Sequence, residues 1–332
     1  MDRTVMNYIK LISFIFILSF QGIAEEVYAK DTILIIRADG KDFRLASDGV
    51  VSELEDEFSI QELIITEKTG YDELNKNIEK IKPKTVVLMD NNAISLYKKY
   101  QSRLSDTDTI IPSVSIMSAF VENAIQGLKK ASCILYEVPL VTSIVNLRAV
   151  LDMRCNKIGI VHREFMTEFI NQNAAYCKRE DIEIVSYVLP DKQKGFFSSM
   201  KSSLKQGLKS LLKRSDIDVI WVPNDNVLVN EEFLVDVWLP MIQEYRKTVI
   251  VGVEILVKKE LDFGTFAVIP DHFELGVQAA GIIYDFFDND WNITDNRIDP
   301  PRSVFKIINL NQVEHYFKIK EDKLSTMDKI IQ

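Results

Sequence analysis

The sequence predicts an α/β protein with two doubly wound parallel-sheet lobes joined by a hinge. Several runs are apolar almost throughout, among them TILII, TVVLM, KIGIV, DVIWV and TVIVGV, as expected of strands buried on both faces. Longer amphipathic runs alternate with them, which is typical of parallel sheets covered by helices. Ten such strands are more than one open sheet comfortably holds. We therefore predict two sheets.

The elements follow one another in a regular order along the chain. Strands are predicted at 32–36, 61–66, 85–89, 110–115, 133–136, 157–161, 183–188, 218–222, 248–253 and 265–268. Helical patterns are predicted at 49–58, 71–81, 93–104, 141–151, 166–179, 197–214, 231–245 and 272–287. No glycine- or proline-rich linker separates two halves, so we place the crossover within 116–130. The predicted first lobe comprises 30–130 plus 269–299, and the second comprises 131–268 plus 300–332.

The first 29 residues have the pattern of a secretory signal peptide. Arg3 and Lys10 make the start of the chain weakly basic, and an apolar run follows at 11–20. This run is about half the length that spans a membrane. Cleavage is predicted after Ala29, with Ala24 as the alternative. No later segment is long and apolar enough to span a membrane, so we expect a soluble, monomeric mature protein. Its predicted location is the periplasm or another extracytoplasmic compartment.

Composition argues against several classes of function. The formal net charge is −9, which disfavours binding to a nucleic-acid backbone. Three histidines and three cysteines offer few metal ligands. The chain contains no glycine-rich phosphate loop, nucleophile elbow, H-E-x-x-H or C-x-x-C motif. We therefore predict no catalytic residues, no metal site and no cofactor. The spacing of Cys155 and Cys177 leaves two alternatives, a disulfide bond and buried free thiols.

Candidate ligand-binding residues come from the loops that follow the predicted strands, because ligands of doubly wound folds bind outside the carboxyl ends of the strands. The alternative for each loop is ordinary helix capping by its polar side chains. For His162, the alternative is a polar loop histidine that has no role in binding. The candidates are Asp39, Asn91, Ser118, Phe120, Tyr136, His162, Glu164, Asn224, Asp225, Asn226 and Glu254.

One segment resembles a known family. The run DVIWVPNDN at 218–226 is similar to the strand followed by P-x-D-N in tryptophan/tyrosine-uptake-like substrate-binding proteins of ABC transporters, which have the type I periplasmic binding fold. CNKIGIV at 155–161 resembles that family's K-x-I-G-V-L strand, and the stretch from Ala267 to Gly276 resembles its F-D-Y-Y-D-L-G helix entry. The likeness covers most of 31–310.

Two departures limit what this resemblance implies about the ligand. His162, Arg163 and Glu164 stand where the family usually has Y-N-P, and the glycine-rich P-G-G-N-x-T-G stretch is absent. Only the P-x-D-N residues, Asn224, Asp225 and Asn226, transfer with the support of a motif. Ser118 and Phe120 transfer by loop position alone.

The resemblance implies a protein that captures a small polar or amphipathic molecule between its lobes and delivers it to an ABC permease. Asp225 is the expected acceptor for a cationic amine or hydroxyl group, and Phe120 or Tyr136 would stack on an apolar part of the ligand. One alternative is a sensing subunit that presents its closed form to a membrane receptor or kinase. A third hypothesis is an exported enzyme on the same frame.

Overall fold

A computed structural model describes residues 30–191, 196–293, 296–313 and 319–332. The predicted signal peptide at 1–29 lies outside these residues. The structure contains two α/β lobes, each built on its own sheet. Within the described ranges, no helix combines the length and the apolar character needed to cross a membrane.

The first lobe contains a sheet of six parallel strands. In chain order its strands are β1 (Thr32–Ala38), β2 (Ser59–Ile65), β3 (Thr85–Met89), β4 (Ser113–Ile116), β5 (Ala131–Ile134) and β11 (Ile298–Asp299). Their spatial order is β11-β5-β4-β3-β1-β2. All five residues of β3 are buried, as its unbroken apolar sequence requires of a strand covered on both faces.

The second lobe contains a sheet of seven strands. In chain order they are β6 (Lys157–Arg163), β7 (Glu183–Leu189), β8 (Val219–Val222), β9 (Thr248–Val251), β10 (Phe266–Pro270), β12 (Val304–Asn309) and β13 (Lys329–Ile331). Their spatial order is β13-β12-β10-β9-β8-β6-β7. β12 runs antiparallel to β10. The prediction of a purely parallel sheet is therefore wrong for this lobe. The chain enters β12 directly from β11 in the other lobe, without the crossover helix that a parallel pairing with β10 would need.

Helices cover both faces of each sheet. On the first sheet, α1 (Lys41–Leu54) and α9 (His272–Asp288) cover one face, and α2 (Tyr71–Ile81), α3 (Asn91–Gln101) and α4 (Val121–Ala124) cover the other. On the second sheet, α5 (Leu140–Val150) and α6 (Thr167–Lys178) lie opposite α7 (Phe196–Leu212) and α8. Helix α8 consists of Glu231–Phe233, a π-helical Leu234–Trp238 and Leu239–Tyr245; the short α10 (Glu321–Leu324) follows near the end of the chain.

The position of β5 corrects the predicted lobe boundary. We predicted that residues from 131 onward belong to the second lobe, but Ala131–Ile134 pairs with β4 in the first sheet. The chain therefore crosses to the second lobe after residue 134. The segment 131–134 reads as an ordinary short strand, and its sequence carries no sign of which sheet edge it joins.

Helices α1 and α9 approach each other closely at two glycines. A Cβ atom on Gly276 would lie 2.0 Å from the carbonyl oxygen of Ala46, and one on Gly49 would lie 2.1 Å from that of Phe273. Both obstacles are backbone atoms, which cannot rotate aside as a side chain can. The two glycines therefore set the distance between these helices.

The three cysteines, Cys133, Cys155 and Cys177, are buried free thiols. Of the two alternatives for Cys155 and Cys177, the structure thus contains the unpaired one. Burial raises the pKa of Cys133 and Cys155 to about 12 and that of Cys177 to about 11.

We expect none of these thiols to react with an aromatic disulfide reagent within minutes in the folded protein, because only an accessible thiolate attacks it. In denaturant all three should react, and absorbance of the released thiolate counts them. A single reactive thiol in denatured, non-reduced protein would instead indicate a disulfide bond.

Candidate functional site

A cavity of about 810 Å³, here called the cleft cavity, lies between the two lobes. Lys41, Asp42, Tyr136 and His272 line it from the first lobe. The second lobe contributes two loops and part of α8: Pro223, Asn224, Asp225, Asn226, Val229, Glu231, Leu234, Val235, Val253, Glu254, Ile255, Leu256, Lys258 and Leu261. The loops follow the carboxyl ends of β8 and β9, where ligands of such folds bind.

The first-lobe wall carries a connected set of polar side chains. The hydroxyl of Tyr136 lies 3.0 Å from Nε2 of His272, and Nδ1 of His272 lies 3.7 Å from a carboxylate oxygen of Asp42. Burial lowers the pKa of His272, against an opposing effect of the Asp42 charge. Burial also disfavours the charged form of Tyr136 and therefore raises its pKa. At neutral pH this wall therefore presents a neutral imidazole and a neutral phenol.

Asn224 places an unused acceptor on the opposite wall. Its Nδ2 donates to the carbonyl oxygen of Gly252 at 3.3 Å. Its Oδ1 is buried and accepts no hydrogen bond from any described residue. A buried carbonyl without a donor is costly. This atom is therefore an unsatisfied acceptor buried behind the wall of the cleft cavity. Asn226 lines the same cavity.

The contacts of Asp225 conflict with its predicted role. Arg163 binds both oxygens of this carboxylate, with Nε at 2.7 Å and Nη2 at 2.9 Å, and the backbone N–H of Val227 donates to Oδ1 at 2.9 Å. The Asp225 side chain is 1 % exposed. A cationic group on a ligand would have to displace Arg163. The helix-capping alternative also fails, because Asn230 caps α8 through the N–H of Phe233.

Glu254 lines the cleft cavity but is partly neutralised by lysines. Nζ of Lys329 lies 2.7 Å and Nζ of Lys258 4.0 Å from its carboxylate. Burial opposes ionisation of Glu254, but the hydrogen bond from Lys329 and the nearby positive charges outweigh it and lower its pKa. Glu254 is thus an ionised carboxylate already paired with cations.

The other predicted residues lie outside the lining of the cleft cavity. Asp39 is exposed and paired with Arg44 at 3.4 Å. Asn91 and Ser118 bind each other, with the serine hydroxyl donating to Oδ1 of the asparagine. His162 is buried in β6 next to Val188 of β7, and its Nδ1 lies 2.9 Å from the carbonyl oxygen of Arg163.

Glu164 and Phe120 also lie away from the cleft cavity. Glu164 is exposed at the start of a short 3-10 helix, and its carbonyl oxygen accepts a hydrogen bond from Thr167. Phe120 packs against Phe165 and Phe169 at a separate cavity.

Several lining residues were not among the predicted site residues. Lys41 and Asp42 begin α1, which is separated from the end of β1 by two residues. His272 begins α9 just after β10, and this place at the carboxyl edge of the sheet was a usable signal. Among the described residues no cluster of three metal-ligating side chains occurs.

The π-helical turn of α8 shapes the second-lobe wall. Leu234 and Val235 in this turn line the cavity. Pro240 follows the turn and has no N–H for the helical ladder, which accounts for a local break in the α-helical pattern. The indole N–H of Trp238 donates to the carbonyl oxygen of Leu228 at 2.7 Å and ties the helix to the loop after β8. Such π-turns are frequent at functional sites.

Comparison with solved structures identifies the architecture. A Streptococcus pneumoniae ABC domain in complex with L-Trp superposes with a TM-score of 0.56 at 15 % identity, covering 91 % of this chain and 100 % of that one. A ligand-free, open substrate-binding protein with adhesive properties from Clostridium difficile gives a TM-score of 0.64 at 13 % identity, covering 91 % and 99 %. The chain has the fold of the type I periplasmic binding proteins.

A third structure of this fold, a conserved domain protein from Vibrio cholerae, gives a TM-score of 0.57 at 12 % identity, with 91 % of this chain and 99 % of that chain covered. No protein-family model and no curated protein matches the sequence. The resemblance drawn from the P-x-D-N segment is therefore confirmed at the level of the fold.

Proposed function

We propose that this protein is an extracytoplasmic solute-binding protein that captures a small amphipathic molecule in the cleft cavity and delivers it to an ABC permease. The observation that carries the proposal is a cavity of ligand size shared by two lobes of a type I periplasmic binding fold. A ligand that contacts both walls binds more tightly when the lobes are closed than when they are open. This difference in affinity sets how far the ligand shifts the protein toward the closed arrangement.

The two walls of the cleft cavity favour an amphipathic ligand. Val235 is 56 % and Ile255 54 % exposed, so the second-lobe wall presents apolar surface that a ligand would cover. Tyr136 and His272 offer hydrogen bonds to its polar end, and Asn226 lines the opposite wall. Since Arg163 neutralises Asp225 and lysines flank Glu254, we expect neither of these two carboxylates to pair with a cationic group on the ligand.

Binding without chemical conversion agrees with the lining. Tyr136, His272 and Asp42 resemble a proton relay, but among the described residues that line the cleft cavity there is no serine, threonine or cysteine. An imidazole beside a phenol has no nucleophile to activate there. Export would follow from the predicted signal peptide at 1–29.

Two charge insertions test the assignment of the cleft cavity. The small molecule that copurifies with the protein is released by denaturation, identified by mass spectrometry and titrated back by calorimetry. Val235→Asp and Ile255→Asp should each weaken binding by about 30-fold or more, since a carboxylate covered by the apolar part of a ligand loses its water. Neither change should unfold the protein, because both side chains are exposed.

Val188→Asp is the matched control, because Val188 is 48 % exposed on the edge strand β7 and lines no part of the cleft cavity. It should leave the affinity unchanged. If all three substitutions weakened binding equally, or if none of them weakened it, the assignment of the cleft cavity would be contradicted. Delivery to a permease is tested separately by uptake of the identified molecule into cells with and without the protein.

A further inference from the structure

A second cavity of about 460 Å³, here called the junction cavity, also lies between the lobes. It shares no lining residue with the cleft cavity. The segment that leaves β5 separates the two: Leu135 and Glu137 line the junction cavity, whereas Tyr136 lines the cleft cavity. Neighbouring residues of this connecting segment thus contribute to different cavities.

Aromatic rings from both lobes line the junction cavity. Phe120 of the first lobe meets Phe165 and Phe169 of the second edge to face, with ring centroids 5.6 and 5.4 Å apart. Phe165 is 41 % and Tyr176 47 % exposed, so part of the aromatic surface is uncovered. The guanidinium of Arg163 lies 4.4 Å from the ring centroid of Phe165, so this ring already makes one cation–π contact.

The polar lining is acidic. Glu122 from α4, Glu137 from the connecting segment and Glu168 from α6 line the junction cavity, and no lysine, arginine or histidine appears among its described lining residues. One oxygen of Glu137 accepts the backbone N–H of Phe120 at 3.0 Å. Within the described part of the chain, no basic side chain forms an ion pair with Glu137. Burial, reinforced by the charge of Glu122, raises its pKa to about 7.

Phe120 holds an unfavourable backbone conformation at this position. Its φ is +50°, a left-handed conformation that costs a bulky residue of the order of 1 kcal/mol or more. The same residue supplies the N–H to Glu137 and the ring between the lobes. The backbone of Phe120 thus lies where its own aromatic ring and the carboxylate of Glu137 are neighbours.

We propose that the junction cavity binds an organic cation, a quaternary or protonated amine with an apolar substituent, and that this cation bridges the two lobes. Aromatic faces attract such a cation, and carboxylates without basic partners neutralise it. The volume is in the range of small-molecule sites. This site is independent of the cleft cavity and of the ligand proposed for it.

Choline and 3,3-dimethyl-1-butanol, its neutral isostere, test the proposal by calorimetry on the full chain at pH 8. Choline should bind at least tenfold more tightly than the alcohol. Phe165→Leu should weaken choline binding at least fivefold, and because Phe165 is partly exposed the variant should fold normally. Glu137→Gln should weaken it at least tenfold. Ile255→Asp, in the cleft cavity, should leave it unchanged.

The pH dependence has a defined sign. At pH 6 Glu137 is mostly protonated and at pH 8 mostly ionised, so choline affinity should rise between these values and the rise should vanish in Glu137→Gln. Glu122 and Glu168 face the same cavity from α4 and α6 and remain in both proteins. Equal affinities for choline and the alcohol, no binding of choline at concentrations on the order of 10 mM, or no effect of Phe165→Leu would each overturn the proposal. None of these results would bear on the cleft cavity, which Val235→Asp probes separately.

Discussion

Gly276→Ala should lower the free energy of unfolding by about 3 kcal/mol. The added methyl group would lie 2.0 Å from the carbonyl oxygen of Ala46 and 2.8 Å from the backbone nitrogen of Val50. Helices α1 and α9 would therefore have to move apart along one face of the first sheet. Urea unfolding followed by circular dichroism measures the loss.

Gly281→Ala is the matched control in the same helix, because no atom lies within 4 Å of its added methyl group. Here alanine only improves helix propensity, so stability should rise by about 0.5–1 kcal/mol. If both substitutions shifted the urea midpoint in the same direction, the close approach of the two helices would not be what requires glycine at 276.

Asp225→Ala should cost about 3 kcal/mol of stability, since it leaves the guanidinium of Arg163, whose side chain is 17 % exposed, with only the longer ion pair to Asp191 at 3.8 Å among the described residues. It also removes the acceptor for the N–H of Val227. Chemical denaturation measures the effect. Replacing both members, as in Arg163→Leu with Asp225→Leu, should recover a large part of the loss, because neither variant side chain leaves a buried charge.

Asp39→Ala provides the comparison for an exposed ion pair. The side chains of Asp39 and Arg44 are 77 % and 64 % exposed, and such pairs contribute about 0–1 kcal/mol. A loss in Asp225→Ala no larger than that in Asp39→Ala would mean that Asp225 is not a structural anion, and would restore it as a candidate acceptor for a cationic ligand.

The sequence predicted the strands of both sheets well where they are buried on both faces. The predicted strand 85–89 matches β3, and the predicted helix 71–81 matches α2. These segments are encoded locally, by an unbroken apolar run in one case and by helical periodicity in the other.

Helix α1 shows where local reasoning fails. It was predicted to begin at Gly49, but it begins at Lys41. A glycine inside a helix looks like a helix boundary when only propensity is considered. Glycine is instead needed at position 49 because a Cβ atom there would collide with the backbone of α9, more than 200 residues later in the chain. The strand β12 was missed for a similar reason, since its place beside β10 depends on the crossing from the first lobe.

The candidate site was predicted in part. The rule that loops after parallel strands form the site led to Asn224–Asn226 and to Glu254, and Tyr136 was predicted as a stacking side chain; all of them line the cleft cavity. It did not reveal that Arg163 occupies the carboxylate of Asp225, because these residues are 62 positions apart. Partner choice between distant side chains depends on the register of β6 and β8, which no local pattern encodes.

Tyr136 and Glu137 are consecutive residues of the segment that leaves β5, and they line the cleft cavity and the junction cavity respectively. If a molecule bound on one side shifts this segment, it changes the shape presented on the other, and the two affinities become linked. Such linkage is reciprocal: the factor by which a cation in the junction cavity changes affinity in the cleft cavity equals the factor by which the cleft ligand changes affinity for the cation.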